Sequence, residues 1–402
     1  MASATVTTLD GVLKVYYDDF KVKMMQYGES TTLAVLARMT KFGGKNLPIP
    51  IVYNTPQGRG TTIALAQGAA SPSKNTDFVL TRASDYGVVT ISNEALEAAD
   101  MGDKAAFVSA RVTEIDGIFL QLVRSLSTAI FGTGSGSIGQ VGSFSGTSIT
   151  LLDIEQIVNF DIGQTLTASS ADASGARAGT TGVITAIDYD SGVITVSTGG
   201  IGALANNDFL QVSGDFNQKL VGLSGWIPAT APGATAFFGV DRSVNPNRLG
   251  GVRVPTTIAP AGIPIEEKIM RATARIAREG GKPDICIVNT AKFADLQASL
   301  SQRVNYGMVE TNDGEFGFRS IEITAGTNKV DVLVDPYCPS NVAFILQKDT
   351  WKLYSLGDVP RFENGDGLMM LRQSTADGVE VRCKYYAQLG NVAPGKNGRV
   401  AI

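Results

Sequence analysis

Ser92–Phe131 reads SNEALEAADMGDKAAFVSARVTEIDGIFLQLVRSLSTAIF, and no other stretch of the 402-residue chain carries so long a periodic signal. Ile115, Ile118, Phe119, Leu122, Leu126, Ala129 and Ile130 recur at helical offsets, which draws one apolar stripe along a single helix. Ser92 or Asn93 can cap its start, and Glu94 and Glu97 suit the positive end of the helix dipole. Met101 and Gly102 interrupt the run, so the pattern predicts a short helix followed by a longer one from about Lys104. At ~1.5 Å per residue the longer piece spans roughly 40 Å, more than a small core needs. A rod of that length is expected to be a spine, with Phe119 as a buried anchor facing the strands near the C-terminus.

Upstream, Phe78–Arg82 and Tyr86–Ile91 are β-rich, with turn-forming Ala83-Ser84-Asp85 between them. Leu47–Tyr53 is a third such run, and breaker-rich stretches (54–60 and Gly68–Asn75) separate the runs. This composition predicts a projecting two-stranded arm, not a core. Ahead of it, Leu9, Val12, Leu13, Tyr16 and Phe20 share a helical face behind a Thr8 cap, too short to stand alone and expected to pack on something else.

Downstream, 134–139 spells Gly-x-Gly-x-x-Gly. A dinucleotide fingerprint follows a strand and opens a helix; this one follows a helix and leads into β-like sequence, and is expected to be a flexible connector. From about Ser145 to Asn217 short β-like runs predominate, and Asp190-Ser191-Gly192 is a hairpin turn. Between Asp161 and Asp215 there are six aspartates and one basic residue, Arg177. The segment is expected to be a small acidic β-barrel inserted into a host domain, its aspartates a solvated surface because their spacing fits no calcium loop.

Pro264–Glu279 is an amphipathic helix with Ile265, Ile269, Ala272 and Ile276 inward and Gly280-Gly281 as its C-cap. Asp284–Val288 reads as a buried strand, and Asn289 or Thr290 caps a second helix to about Leu300, which is α/β layering. Strands follow at 330–335, 342–346, 351–354, Leu368–Leu371 and Val379–Tyr386; Gly395–Gly398 is expected to end the ordered fold.

Composition narrows the chemistry. Hydrophobic residues at 44% with charged residues at 18% describe an ordered, globular chain, and 45 glycines lean towards loops and sheets. A net charge of −4 argues against a dedicated nucleic-acid-binding domain, so contact with DNA is expected to be weak and sequence-independent. Histidine is absent, which removes Ser-His-Asp and Cys-His nucleophile systems and histidine metal pairs. Cys286, Cys338 and Cys383 are widely spaced and odd in number, supporting neither a disulfide framework nor a zinc site. With no basic-then-apolar leader and no ~18-residue apolar run, a cytoplasm-like compartment is expected. No catalytic, cofactor-binding or metal-ligating residue is expected.

The string Asp85-Tyr86-Gly87-Val88-Val89-Thr90-Ile91-Ser92-Asn93-Glu94-Ala95-Leu96-Glu97-Ala98 leading into the spine, with Pro283–Leu300, Asp335-Pro336-Tyr337-Cys338-Pro339 and Thr350-Trp351, resembles the major capsid protein of tailed bacteriophages with the Hong Kong 97-like fold. The resemblance implies an α+β chain in seven parts. These are an N-terminal arm (1–46), extended β loop (47–91), spine helix of the peripheral domain (92–131), connector (132–144), inserted β-barrel (145–217), axial α/β domain (218–329), and strands of the peripheral domain with the C-terminus (330–402). It implies hexamers and pentamers closing an icosahedral head around double-stranded DNA, assembled in the bacterial host cytoplasm, with a portal and a decoration protein as possible partners. Only 46 residues precede the extended loop, so a separate scaffolding protein is expected in place of a cleaved scaffold domain. Some members weld subunits through a Lys–Asn bond assisted by Glu. Lys74, with Glu363-Asn364, is the conceivable set here, although Asn364-Gly365 is sufficiently explained as a turn. Alternatives are an encapsulin-like cargo compartment, a β-rich tail or adhesion protein suggested by 145–217, and an enzyme.

Overall fold

The computed structural model describes residues 30–94, 110–177, 181–197, 201, 204–255, 257–301, 321–325, 328–363, 370–373 and 376–402. The Leu9–Phe20 stripe, the Met101–Gly102 break and Asn364 lie outside these residues.

The spine helix is Ala110–Phe131. It lies on one face of a six-stranded peripheral sheet built around the long strand Gly378–Asn391, which pairs with Ala83–Ser92, Trp351–Ser355, Arg361–Phe362 and Met370–Arg372. Ala37–Met39 forms the far edge, parallel to Trp351–Ser355. The close approach of helix and sheet depends on Gly87, where a Cβ would lie 2.7 Å from Ile118. Ile115, Leu122, Leu126 and Ile130 are buried in the stripe. Phe119 departs from expectation: it sits half-buried on the stripe's flank, stacked on Phe362 at 5.4 Å. Ala83-Ser84-Asp85 is strand, not turn, because all three residues pair with Tyr385–Ala387.

The second sheet runs Val252–Val254, Gly398–Ala401, Val342–Leu346, Ile285–Val288, Asn328–Val334, Ile321–Ala325. Helix Ile265–Arg278 covers it with Ile269, Ala272 and Ile276 fully buried, and Gly280 at φ 85° lets the Gly281 N–H reach the Ile276 carbonyl at 3.1 Å. Helix Thr290–Ser301 starts where Asn289 Oδ1 accepts from the Ala291 N–H. The sheet corrects two expectations. Strands 328–334 and 342–346 belong here and not to the peripheral sheet, since they hydrogen-bond to either side of Ile285–Val288. The chain also stays ordered past Gly398: its final strand fills the gap between Val252–Val254 and Val342–Leu346.

The insertion is a barrel. Its strands run Phe209–Val212, Ser137–Ser145, Ser148–Leu151, Val193–Val196, Gly182–Asp188, Thr165–Ala171, with Ser174–Ala176 appended outside. Pairing of Phe209–Val212 with Thr165–Ala171 as well as with Ser137–Ser145 closes the ring around Phe160, Leu166, Ile194 and Leu210. The expected turn joins Gly182–Asp188 to Val193–Val196, with Gly192 at φ 66°. The barrel begins at 137, inside the segment expected to be a connector.

Candidate assembly surface

The extended loop is a two-stranded antiparallel hairpin, Asn46–Asn54 with Lys74–Thr81. Its base is anchored by alternation: Ile49, Ile51, Phe78 and Leu80 point inward, and Phe78 meets Trp226 edge-on at 5.1 Å. Arg82 fixes the root by donating to the carbonyls of Phe42 (2.7 Å) and Gly44 (2.6 Å), and Arg248 donates to the Tyr53 carbonyl at 2.7 Å. Beyond Tyr53 the pattern inverts. Ile63 and Leu65 are 79% and 60% exposed, and the short helix Ile63–Gly68 at the tip has no buried residue. An arm with an exposed apolar tip presents a surface suited to a partner.

Residues 30–42 pack on their own subunit, with Leu33, Leu36 and Phe42 buried. Fully buried Asp335 is the anchor, accepting from Ser30 Oγ (2.7 Å), the Thr32 N–H (3.0 Å) and the Tyr337 N–H (3.0 Å). This explains the Asp335-Pro336-Tyr337 string: the carboxylate caps a remote helix and its own turn at once.

The connector expected at Gly132–Gly139 is hydrogen-bonded to the chain that returns from the barrel. The two crossing chains hydrogen-bond side by side, Asn217 N–H to the Ser135 carbonyl and Gly222 N–H to the Gly132 carbonyl. A Cβ at Gly136 would sit 2.4 Å from the Asp215 carbonyl, so the glycines serve close approach and positive φ, not freedom. Next to this crossing lies a polar cluster that the sequence did not announce. Lys219 Nζ contacts Asp85 (2.5 Å), Asp215 (3.2 Å) and Ser125 Oγ (2.9 Å), while Tyr385 and Ser125 both donate to Asp85. Burial, then the Asp85 charge, pushes the Tyr385 phenol well above its ordinary value; burial also raises Asp215 against the pull of Lys219. A second set joins Gln121 and Arg124 of the spine to Asp161 of the barrel. Between them is a cavity of about 300 Å³. These groups satisfy one another, and their role is mechanical: they lock barrel, spine and sheet together.

The barrel aspartates are used singly. Asp208 binds Arg177 through two bonds of 2.6 and 2.7 Å, Asp172 accepts from Thr133, and Asp188 closes its own turn with Ser191, which lowers its pKa. Among the described residues no group of three or more Cys, Asp and Glu is arranged to hold a metal ion, and no helix is long and apolar enough to cross a membrane. The three cysteines are buried and unpaired. Exposed Lys74 lies at the start of the second hairpin strand, whereas Glu363 is engaged by Lys384.

No family model matches the sequence, and no curated protein matches it. The fold does have relatives among solved structures. The capsid asymmetric unit of cyanophage A-1(L) aligns with a TM-score of 0.54 at 12% identity, over 96% of this chain and 96% of that chain. The capsid of an empty GTA particle aligns with a TM-score of 0.50 at 8% identity, over 98% of this chain and 96% of that one. The chain has the Hong Kong 97-like capsid fold, with a small β-barrel inserted after the spine helix.

Proposed function

We propose that this chain is a major capsid protein: the repeating subunit of an icosahedral bacteriophage head, assembling as hexamers and pentamers around double-stranded DNA. The observation that supports this reading best is the anchored hairpin with an uncovered apolar tip, on a fold shared along nearly its whole length with phage capsid chains. One heterologous contact of that kind, repeated around closed rotations, satisfies every tip in a finite shell. The reading carries with it a structural, non-catalytic role and residence in the virion after assembly in the host cytoplasm. It also carries a separate scaffolding protein, a portal and a decoration protein as partners. Electron microscopy of the chain co-expressed with its scaffold tests it: closed shells of uniform diameter are expected, with DNA as the content of particles from infected cells. A strictly monomeric species at high concentration with scaffold present refutes it, and an enzyme cargo in place of DNA converts it to a cargo compartment.

A further inference from the structure

Among the described residues the spine helix covers one face of the peripheral sheet. Strand register places Lys384 opposite Tyr86 and Arg361, Arg382 opposite Val88 and Lys352 opposite Gly390 on the other face, and Lys41 bridges to Leu356 at its edge; Thr90, Tyr354 and Gln388 on the same face are buried, so part of it is covered and part is open. Among the described residues five cations therefore lie on or at the edge of this face with two carboxylates, Glu363 on Lys384 and Glu380 on Arg382. Lys41, Lys352 and Arg361 have no acidic partner among the described residues. Tyr86, 59% exposed, and Tyr386 stand among them with hydroxyls 3.1 Å apart.

The opposite side has the opposite sign. The acidic barrel docks on the spine through Asp161 and on the helix-facing side of the sheet through Asp215, Lys219 and inward-facing Asp85. The barrel and the exposed cations thus lie on opposite sides of the peripheral sheet. A polyanion is repelled by one side and attracted by the other.

We propose that the open part of this face of the peripheral sheet, with Lys41, Lys352 and Arg361 as its phosphate contacts, is the surface this subunit turns towards enclosed double-stranded DNA, with the barrel outside. This rests on the shell reading above. A duplex fits better than single strands because Tyr86 and Tyr386 are engaged edge to face with each other, at 5.9 Å and 82°, and offer hydroxyl donors, not free stacking platforms. Contact through three point charges on a flat sheet reads backbone charge and not sequence.

The test compares the parent with the triple variant Lys41→Glu, Lys352→Glu, Arg361→Glu. A control of equal net charge on the α/β domain is Arg278→Glu, Lys282→Glu, Lys329→Glu. Circular dichroism first establishes that all three are folded. Binding of a short fluorescent DNA duplex to the soluble subunit is then followed by anisotropy across a salt series. Each phosphate contact contributes roughly 0.9 to the slope of log affinity against log salt, so the face variant is expected to lose about 2–3 from the slope and at least about tenfold in affinity at low salt. The control is expected to keep the parent slope. An unchanged slope in the face variant, an equal loss in the control, or tighter binding of poly-glutamate than of duplex to the face overturns the proposal. Electron microscopy of the parent keeps the two readings apart: shells without the slope change sink this inference alone, whereas absence of shells sinks the shell reading whatever the DNA titration shows.

Discussion

Leu126→Ala is the most informative single change to the subunit. Leu126 is fully buried in the main core, in a cluster with Leu122, Ile130, Cys383, Tyr385 and Leu389. Truncating its side chain to a methyl group costs about 3–5 kcal/mol, transfer and cavity terms together. That is a large share of a typical total of roughly 5–15 kcal/mol. Phe119→Ala removes a larger side chain, but a half-buried one whose main contact is Phe362, and is expected to cost about 2 kcal/mol. Trp226 and Trp351 are the chain's two tryptophans and are fully buried in the same cluster, so fluorescence during urea unfolding of the unassembled subunit reports on this region. Linear extrapolation converts midpoint shifts into free energies. If Phe119→Ala shifts the midpoint as far as Leu126→Ala, or if Leu126→Ala costs less than about 1 kcal/mol, the account of the spine as a one-sided anchor is wrong.

Other outcomes follow from the same geometry. Deleting the hairpin tip, 55–73, is expected to leave a soluble subunit with parental melting that no longer closes shells; loss of the folded subunit would show that the tip stabilises its own chain. Burial lifts the Cys286 thiol to about 12 and Cys383 to about 11, and raises Cys338 too, so a thiol reagent at pH 8 is expected to label none of them until denaturant is added. Lys219→Met leaves Asp85 and Asp215 facing each other without their cation and is expected to cost on the order of 3 kcal/mol, loosening the barrel joint. Faster proteolysis between Gly132 and Gly136, with the barrel itself intact, is the readout, and unchanged cleavage would contradict it. Because burial raises Asp215, the folded state holds its proton more tightly than the unfolded chain does. Its contribution is full below the ordinary aspartate value and is lost as pH rises through the folded value. Asp215→Asn is expected to remove that decline from a stability–pH profile.

The parts of this protein that follow a local period were legible in its sequence. The stripe through Leu122, Leu126 and Ile130, the inward set Ile269, Ala272 and Ile276, and the Asp190-Ser191-Gly192 turn each depend on residues within one or two turns of chain, so composition and spacing sufficed. Strand membership was not legible. Val342–Leu346 is buried at all five positions, and such a run announces a strand without saying which sheet it joins; that depends on partners at Ile285–Val288 and Gly398–Ala401. Gly132–Gly139 looked like slack for the same reason, since the chain its glycines make room for lies some eighty residues downstream at Asp215–Gly222. The charged joint is the clearest case. Lys219 meets Asp85 across 134 residues and Tyr385 meets Asp85 across 300, and no sequence window contains such a pair. Local periodicity determines which elements form because its energetics act along the chain. The tertiary structure decides which of them share a sheet and which charges meet, because those energies arise only when distant segments are brought together.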